Sequence, residues 1–304
     1  MGAGSVGEPG RSGGSLVGQG PVLSGSLADR AGARPRTPVD RRSPPRRLGS
    51  MTQQPTPSAL VSTFAPGGTL RASINLGNPI LAHRDPASRE PAGVSVDLAR
   101  EFGRRLGVPV ELVAFERAAL SVDAVRAGRA DIGFFAVDPA RGEGLRFTAP
   151  YVLIEGSYLV PEHAPVTEND QVDREGTRIS VGAGSAYDLF LTREIRHAEV
   201  VRLEGAPRAL AALRAGEVDV TAGIRQLLEA EAARDEGVRV LPGRFMVIQQ
   251  AMGVPAGRGA AAQELLASFV EEMKAGGFVA DALERHGVEG ASVAPAQAIS
   301  GEAR

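Results

Sequence analysis

Short apolar runs alternate with longer segments of helical periodicity from about residue 70 onward. Leu98, Phe102 and Leu106 share one face of the first predicted helix, for which we expect Ser95 to be the N-cap. A second helix is predicted over 121–127. The strands predicted around these helices are 70–76, 110–114 and 131–136. The resulting order, β-α-β-α-β, is typical of a mainly parallel sheet.

A similar arrangement begins again after residue 177. Its predicted strands are 178–182, 199–203 and 218–222, and its predicted helices are 186–195 and 207–215. Both halves carry one local signature, in which a helix ends at a glycine and an aspartate three residues later leads into a strand. The glycines are Gly128 and Gly216, and the aspartates are Asp131 and Asp219. The repetition suggests two lobes of like architecture.

Two further apolar segments, 151–160 and 245–254, predict the strands that connect the lobes. They are followed by an amphipathic helix that ends at Gly276 and by a short helix over 278–285. We therefore predict an α/β fold with a divided first lobe, a continuous second lobe and a flexible C-terminal tail. The predicted bounds are 66–157 plus 250–290 for lobe 1, 158–249 for lobe 2 and 291–304 for the tail.

Residues 1–50 differ in composition from the rest of the chain. They hold eight arginines and three acidic residues, are rich in Gly, Ser and Pro, and show no periodic apolar face, so we predict a disordered tail. Met51 follows directly and is a candidate first residue. From either start the sequence shows no continuous apolar core of a signal peptide, and it has no run of about 18 apolar residues for a membrane span. On sequence alone we expect a cytoplasmic location without membrane insertion.

Several classes of chemistry are disfavoured by composition. The chain has no cysteine, its four histidines are scattered, and its net charge is −2, so we expect no disulfide, no metal, no cofactor and no nucleic-acid partner. A dinucleotide-binding reading of Gly182-x-Gly184 is weak because Tyr187 stands where the third glycine is needed.

An ordered set of motifs points to one family. The motifs are Gly93-Val-Ser-Val-Asp97, Leu106-Gly-Val-Pro109, Arg126-Ala-Gly-Arg-Ala-Asp131, Asp138-Pro-Ala-Arg141 and Phe147-Thr-Ala-Pro-Tyr151. Over about 70–286 the chain resembles the family 3 extracellular solute-binding proteins, the periplasmic amino-acid receptors of ABC importers. The resemblance implies a periplasmic binding protein type II fold, with two α/β lobes, two crossover strands as the hinge and a ligand held in the cleft. It also implies a periplasmic location, against the missing signal peptide.

The resemblance assigns candidate ligand-binding residues. Arg141 matches the family arginine that clamps the ligand carboxylate, a role suited to a planar guanidinium. The turn that opens the first helix of lobe 2 is expected to offer free backbone N–H groups and the Ser185 hydroxyl. Phe134 and Ala136 replace hydroxyl residues, so we expect backbone or apolar contacts from that stretch. The candidates besides Arg141 are Asn75, Asn78, Phe135, Ala136, Gly184, Ser185, Ala186, Tyr187 and Arg225. For Asn75 and Asn78, turn formation is an equal alternative.

Departures from the family pattern bear on the ligand. Ala118 and Ala119 stand where the resemblance implies an aromatic platform, and Ile224, followed by Arg225, stands where it implies the aspartate that pairs with the ligand ammonium. A cleft without that carboxylate disfavours a free α-amino group. We therefore expect an organic acid, a dicarboxylate or an acylated compound, with Glu155 left open as a partner for an ammonium.

The predicted function is a monomeric solute-binding protein that serves an ABC permease, binds a small carboxylate ligand and catalyses nothing. Two alternatives keep the fold. One is a cytoplasmic sensor or scavenger, which the missing export signal favours. The other is a dehydratase that acts on a cyclic acid, although no carboxylate or histidine stands out as its general acid.

Overall fold

The structure, a computed structural model, describes residues 58–297 of the chain. The predicted disordered tail and the last residues of the predicted C-terminal tail lie outside this part. The helices are α1 (Ser58–Phe64), α2 (Val94–Leu106), α3 (Ala118–Arg126), α4 (Pro139–Gly142), α5 (Ala186–Glu194), α6 (Gly205–Arg214), α7 (Arg225–Ala232), α8 (Ala260–Ala275) and α9 (Phe278–Arg285). The strands are β1 (Leu70–Asn75), β2 (His83–Arg84), β3 (Pro91–Ala92), β4 (Val110–Phe115), β5 (Ile132–Ala136), β6 (Leu145–Pro161), β7 (Arg178–Gly182), β8 (Glu199–Leu203), β9 (Val220–Ile224), β10 (Val238–Val240), β11 (Met246–Pro255) and β12 (Ser292–Val293).

In the first lobe, β1 lies between β4 and β5 and runs parallel to both. The apolar face of α2 packs into the core of this lobe, where Leu98 and Phe102 are buried. The predicted N-cap at Ser95 is wrong, because the helix is preceded by Gly93 and Ser95 lies within its first turn. Only a glycine fits there: φ is 119°, and a Cβ would lie 2.5 Å from the carbonyl oxygen of Leu81.

The second lobe repeats this arrangement, with β7 between β8 and β9 and parallel to both. Strands β7 and β8 have the predicted bounds, whereas β9 begins two residues later than predicted. The start of β9 coincides with a tertiary contact to β7. Asp219, just before β9, accepts hydrogen bonds from the backbone N–H and the Nε of Arg178 on β7, at 2.9 and 3.1 Å.

The glycine–aspartate signature makes the same contact in both lobes. Asp131 accepts hydrogen bonds from the backbone N–H and Nε of Arg71 on β1, at 2.9 and 3.0 Å, as Asp219 does from Arg178. The two sites differ in burial, because the Asp131 side chain is 0% exposed and that of Asp219 is 46% exposed. Asp131 also pairs with Arg258, just before α8.

Two long antiparallel strands, β6 and β11, join the lobes in one continuous sheet. The sheet order β4-β1-β5-β11-β6-β9-β7-β8 places them at its centre, with lobe 1 on one side and lobe 2 on the other. The predicted α/β fold with two crossover strands is confirmed, although β6 begins at Leu145, earlier than the predicted 151. No helix within 58–297 has both the length and the apolarity to cross a membrane.

Residues 291–297, the described part of the predicted flexible tail, lie against lobe 1, and their flexibility stays a prediction. Ser292 and Val293 form β12, which pairs with β6, and Ala294 is buried. The ammonium of Lys274 on α8 donates to the carbonyl of Pro295 at 3.0 Å and to that of Pro150 at 3.2 Å. Backbone pairing and this buried cation therefore hold the segment against lobe 1.

Candidate functional site

A cavity of about 470 Å³ lies between the two lobes. Lobe 1 contributes the segments that follow β1 and β4, and lobe 2 contributes the segments that follow β7, β8 and β9. These are the carboxyl ends of parallel strands, where open α/β sheets bind ligands. The volume falls in the range of small-molecule sites.

Part of the wall of the cavity on lobe 2 is apolar, and we call this part the apolar wall. It includes Leu210 on α6, Ile224 at the end of β9, and Leu227 and Leu228 on α7. The charged residues that line the cavity are Glu116, Arg117, Glu231 and Arg234. Each forms an ion pair with another side chain, and the pairs are Arg84–Glu116, Arg117–Glu204, Arg214–Glu231 and Arg234–Glu231. The cavity therefore combines this apolar wall with charged groups that are already paired.

Arg141 does not itself line this cavity but lies at the contact between the lobes, where it bonds to Gly184, and both neighbours of Gly184 line the cavity. It sits on α4, a short helix that Asp138 caps by accepting a hydrogen bond from the Ala140 N–H at 2.9 Å. The residue is 5% exposed. Its guanidinium donates to the carbonyls of Ala136, at 3.2 Å in lobe 1, and Gly184, at 2.8 Å in lobe 2.

The charge of Arg141 is poorly compensated. Burial lowers the pKa of Arg141 to about 10, against the favourable charge of Asp138, so the guanidinium is still protonated at neutral pH. Within the described part of the chain, no carboxylate lies at ion-pair distance from it, and Asp138 pairs with Arg193 instead, at 2.9 Å. A buried cation bonded to neutral carbonyls is suited to receive an anion.

The lobes touch each other around Arg141, so this is a closed arrangement. Arg193 lies on α5 of lobe 2 and Asp138 precedes α4 of lobe 1, so their ion pair crosses the cleft. A Cβ added to Gly184 would lie 3.1 Å from the Cβ of Ala119 in lobe 1. The small residue at 119 allows this approach where the family resemblance implies an aromatic side chain.

The turn that opens α5 is capped by the chain itself. Asp188 accepts a hydrogen bond from the Gly184 N–H at 2.8 Å, and its own N–H donates to the Ser185 hydroxyl at 3.1 Å. The expectation of a free N–H at Gly184 is therefore wrong, since a carboxylate of the same helix occupies it. The spacing Ser185-x-x-Asp188 resembles a capping box and could have indicated this. Ser185 and Tyr187 line the cavity, whereas Gly184 and Ala186 do not.

The two asparagines after β1 differ in role. The side-chain oxygen of Asn75 accepts a hydrogen bond from the Gly77 N–H at 3.0 Å, which is the turn-forming role. Asn78 is buried, and its amide oxygen has no hydrogen-bond partner in the described part of the chain. Neither lines the cavity, but Gly77 and Pro79, which flank Asn78, both do.

Two other predicted positions, on consecutive residues of β5, do not line the cavity. The Phe135 ring belongs to the core of lobe 1, with its centroid 6.2 Å from that of Phe147, because alternate residues of a strand point to opposite faces. The Ala136 carbonyl accepts a hydrogen bond from Arg141. The backbone contact from this stretch is therefore made to Arg141, whereas a contact to the ligand stays a prediction.

Arg225 and Glu155 form a cluster at the crossover strands instead of lining the cavity. Arg225 Nε lies 3.0 Å from a carboxylate oxygen of Glu155, and Arg244 lies 2.6 Å from the other. Arg225 also pairs with Glu229 and donates to the Gly243 carbonyl. The geometry does not support Arg225 as a second cation for the ligand, nor Glu155 as a partner for its ammonium.

Comparisons with known proteins agree with this architecture. The model of the bacterial extracellular solute-binding proteins, family 3, matches residues 72–289. Among solved structures, a mutant of ArgBP from T. maritima has 20% identity and a TM-score of 0.64, covering 76% of this chain and 100% of its own. A receptor for L-cysteine from Neisseria gonorrhoeae has 24% identity and a TM-score of 0.64, covering 74% and 92%.

A cysteine-binding protein from Campylobacter jejuni is similar at 18% identity and a TM-score of 0.63, covering 74% of this chain and 92% of its own. The sequences of curated proteins give no significant match. At these identities the solved structures establish the fold. The family model matches more than half of the chain and therefore establishes the family. The chain belongs to the bacterial extracellular solute-binding proteins, family 3.

Proposed function

We propose that this chain is the solute-binding component of an ABC-type uptake system and binds a small carboxylate-bearing solute between its lobes. The observation that carries the proposal is the environment of Arg141, a cation that is 5% exposed and bonded to two neutral carbonyls across the lobe contact. A buried charge without a counter-charge is costly, and a ligand carboxylate would supply that counter-charge.

The position of the cavity and the family of the chain also support a solute-binding role. The cavity beside Arg141 is lined by both lobes, so a solute there would hold them together and favour the closed state. Solved structures of the same fold include the L-cysteine receptor and a binding component of an ABC transporter complexed with lysine. These are binding proteins rather than enzymes, and we extend that role to this chain, with a permease as its partner and a monomer as its working form.

Binding exchanges one set of contacts for another. The Arg141 guanidinium gives up the Gly184 carbonyl and donates two parallel hydrogen bonds to the carboxylate. The hydroxyl of Ser185 and the buried amide oxygen of Asn78 are further candidate contacts, since Ser185 lines the cavity and both neighbours of Asn78 do. The rest of the solute then packs against the apolar wall of lobe 2.

Replacement of Arg141 tests the proposal. We expect Arg141→Ala to weaken binding of a carboxylate solute by roughly 2–5 kcal/mol, the range for truncating one partner of a buried charge pair. Arg141→Lys keeps the charge but loses the planar fork, so it is expected to recover part of the affinity. Isothermal titration calorimetry of full-length protein with a panel of carboxylates measures both.

The matched control is Arg129→Ala, because Arg129 is an exposed arginine near the same lobe surface and does not line the cavity. It is expected to bind as the unaltered protein does. Equal affinity of the Arg141→Ala variant and this control for every carboxylate that binds would contradict the assignment of Arg141.

A further inference from the structure

We infer that the solute is an acid whose body is apolar and carries no ammonium group, such as an N-acylated amino acid or a hydroxy acid with a hydrocarbon side chain. The inference rests on the proposed function, because it describes the ligand of the same cavity. Three observations carry it: the apolar wall, the pairing of every charged group that lines the cavity, and the neutral acceptor of Asn78.

The apolar wall sets the character of the ligand body. Leu210, Ile224, Leu227 and Leu228 lie together on lobe 2, with Leu76 and Pro79 on the opposite lobe. Burying a hydrocarbon group between such walls is favourable at about 25 cal/mol for each Å² removed from water. A charged group placed against these hydrocarbon side chains would lose its hydration without gaining hydrogen bonds from them.

The pairing of charges disfavours a buried ammonium. The two carboxylates that line the cavity, Glu116 and Glu231, are bound to Arg84 and to Arg214 and Arg234. Glu155, on the crossover strand β6, is bound to two further arginines. An ammonium would have to displace an arginine from one of these carboxylates or remain unpaired, and both carry a cost.

The side-chain oxygen of Asn78 is a candidate acceptor for one neutral hydrogen-bond donor of the solute. Its buried amide oxygen lacks a partner within the described part of the chain, and it lies between two residues that line the cavity. A buried acceptor of this kind is satisfied by an amide N–H or a hydroxyl. A carboxylate, one neutral donor and an apolar body together define the class of solute.

A matched series of ligands tests the class. The probes share one isobutyl group: N-acetyl-L-leucine, 2-hydroxy-4-methylpentanoate and L-leucine, with L-lysine as the cationic comparison. In calorimetry with full-length protein, we expect the first two to bind at least tenfold more tightly than L-leucine, and L-lysine to be the weakest.

The outcomes separate this inference from the proposed function. Tighter binding of L-leucine or L-lysine, lost in Arg141→Ala, overturns the inference and leaves the proposed function standing. If none of the probes and no other carboxylate binds, both are overturned. Tighter binding of the uncharged-amine acids, lost in Arg141→Ala, supports both.

A variant of the apolar wall provides an independent test. Leu227 lines the cavity and is half-buried on α7, so Leu227→Asp places an unpaired carboxylate there. We expect the affinity ratio of N-acetyl-L-leucine to L-leucine to fall at least tenfold. Leu227→Asn and Leu120→Asp are the controls, since the first adds no charge and the second adds it at an exposed residue outside the cavity. An unchanged ratio in a Leu227→Asp variant that keeps its melting temperature overturns the inference.

Discussion

Two aspartates in like positions show how burial decides the value of a single ion pair. Asp131 and Asp219 each bind the backbone and guanidinium of the arginine that opens the neighbouring strand. Burial by itself raises the pKa of Asp131. Hydrogen bonds from Arg71 and Arg258 lower the pKa by more than burial raises it, so the pKa lies below its ordinary value. The Asp131 carboxylate therefore stabilises the fold in its ionised form.

Removal of each aspartate is expected to have unequal effects. Asp131→Ala leaves the charges of Arg71 and Arg258 without their buried partner and is expected to cost about 3–5 kcal/mol of unfolding free energy. Asp219→Ala removes a half-exposed pair and is expected to cost about 0.2–1 kcal/mol. Urea denaturation at neutral pH measures both values, and equal losses would contradict the argument from burial.

The pH dependence of stability has a definite sign at Asp131. Because its folded-state pKa is lowered, its contribution is complete above the unfolded pKa, about 3.9, and is lost as the pH falls through the folded value. In a series of urea titrations from neutral to acidic pH, we expect the unfolding free energy of Asp131→Asn to depend less on pH in this acidic range than that of the unaltered protein. If the unfolding free energy of the variant falls as steeply with acidification as that of the unaltered protein, other carboxylates are responsible for the pH dependence.

At the scale of elements, helix α5 is capped at its N-terminus, because the Ser185 hydroxyl accepts a hydrogen bond from the Asp188 N–H and the Asp188 carboxylate accepts one from the Gly184 N–H, just before the helix. The hydroxyl of Ser185 has two candidate roles, a helix cap and a contact to the solute. Asparagine is as good an N-cap as serine but has a different shape, so substitutions can separate the two roles.

Ser185→Ala is expected to cost about 1 kcal/mol of stability, and Ser185→Asn is expected to restore most of it. If the hydroxyl also binds the solute, Ser185→Asn will remain stable but bind more weakly. Thermal or urea unfolding and calorimetry on the same samples measure both properties. A stable Ser185→Ala variant would show that the cap contributes little.

The same scale shows what periodicity could predict. Strands β7 and β8 have their predicted bounds because their apolar runs are short and bounded by turn residues. The start of β9 and the cap of α2 were misplaced because each depends on a tertiary contact, to Arg178 and to the chain at Leu81. Periodicity records the faces of an element but not the partners that fix its ends.

The candidate site was harder to predict for the same reason. Arg141 was identified by a local motif, and its position at the lobe contact agrees with the proposed role. The pairing of Arg225 with Glu155 joins residues that are 70 positions apart, and no local pattern encodes it. The apolar wall was also missed, because Leu210 lies on the predicted helix 207–215 but no helix was predicted at Leu227, and periodicity does not show that the two meet at one cavity.

At the scale of the whole molecule, direct contacts join the two lobes. The Arg141–Gly184 hydrogen bond and the Arg193–Asp138 ion pair both cross the cleft. Gly184 also allows close contact with Ala119, with a φ of 72° that disfavours any other residue. Closure is thus supported by direct contacts that a solute would join or replace.

Gly184→Ala is expected to open the molecule, because the added methyl group meets Ala119 in the other lobe. Small-angle X-ray scattering would show a larger radius of gyration and calorimetry a weaker affinity. Gly216→Ala is the matched control, since its φ of 69° imposes similar backbone strain while a Cβ there contacts nothing within 4 Å. Identical scattering from the two variants would argue against Gly184 as a point of lobe contact.

Lys274 is the single lysine of the sequence, and its burial beneath the segment after β12 has a practical consequence. An amine-reactive ester applied to the native protein will modify the α-amino group and spare this side chain until that segment detaches. Peptide mass mapping distinguishes the two products. The rate of acylation at Lys274 is thereby a direct measure of how often the C-terminal strand opens in the native state.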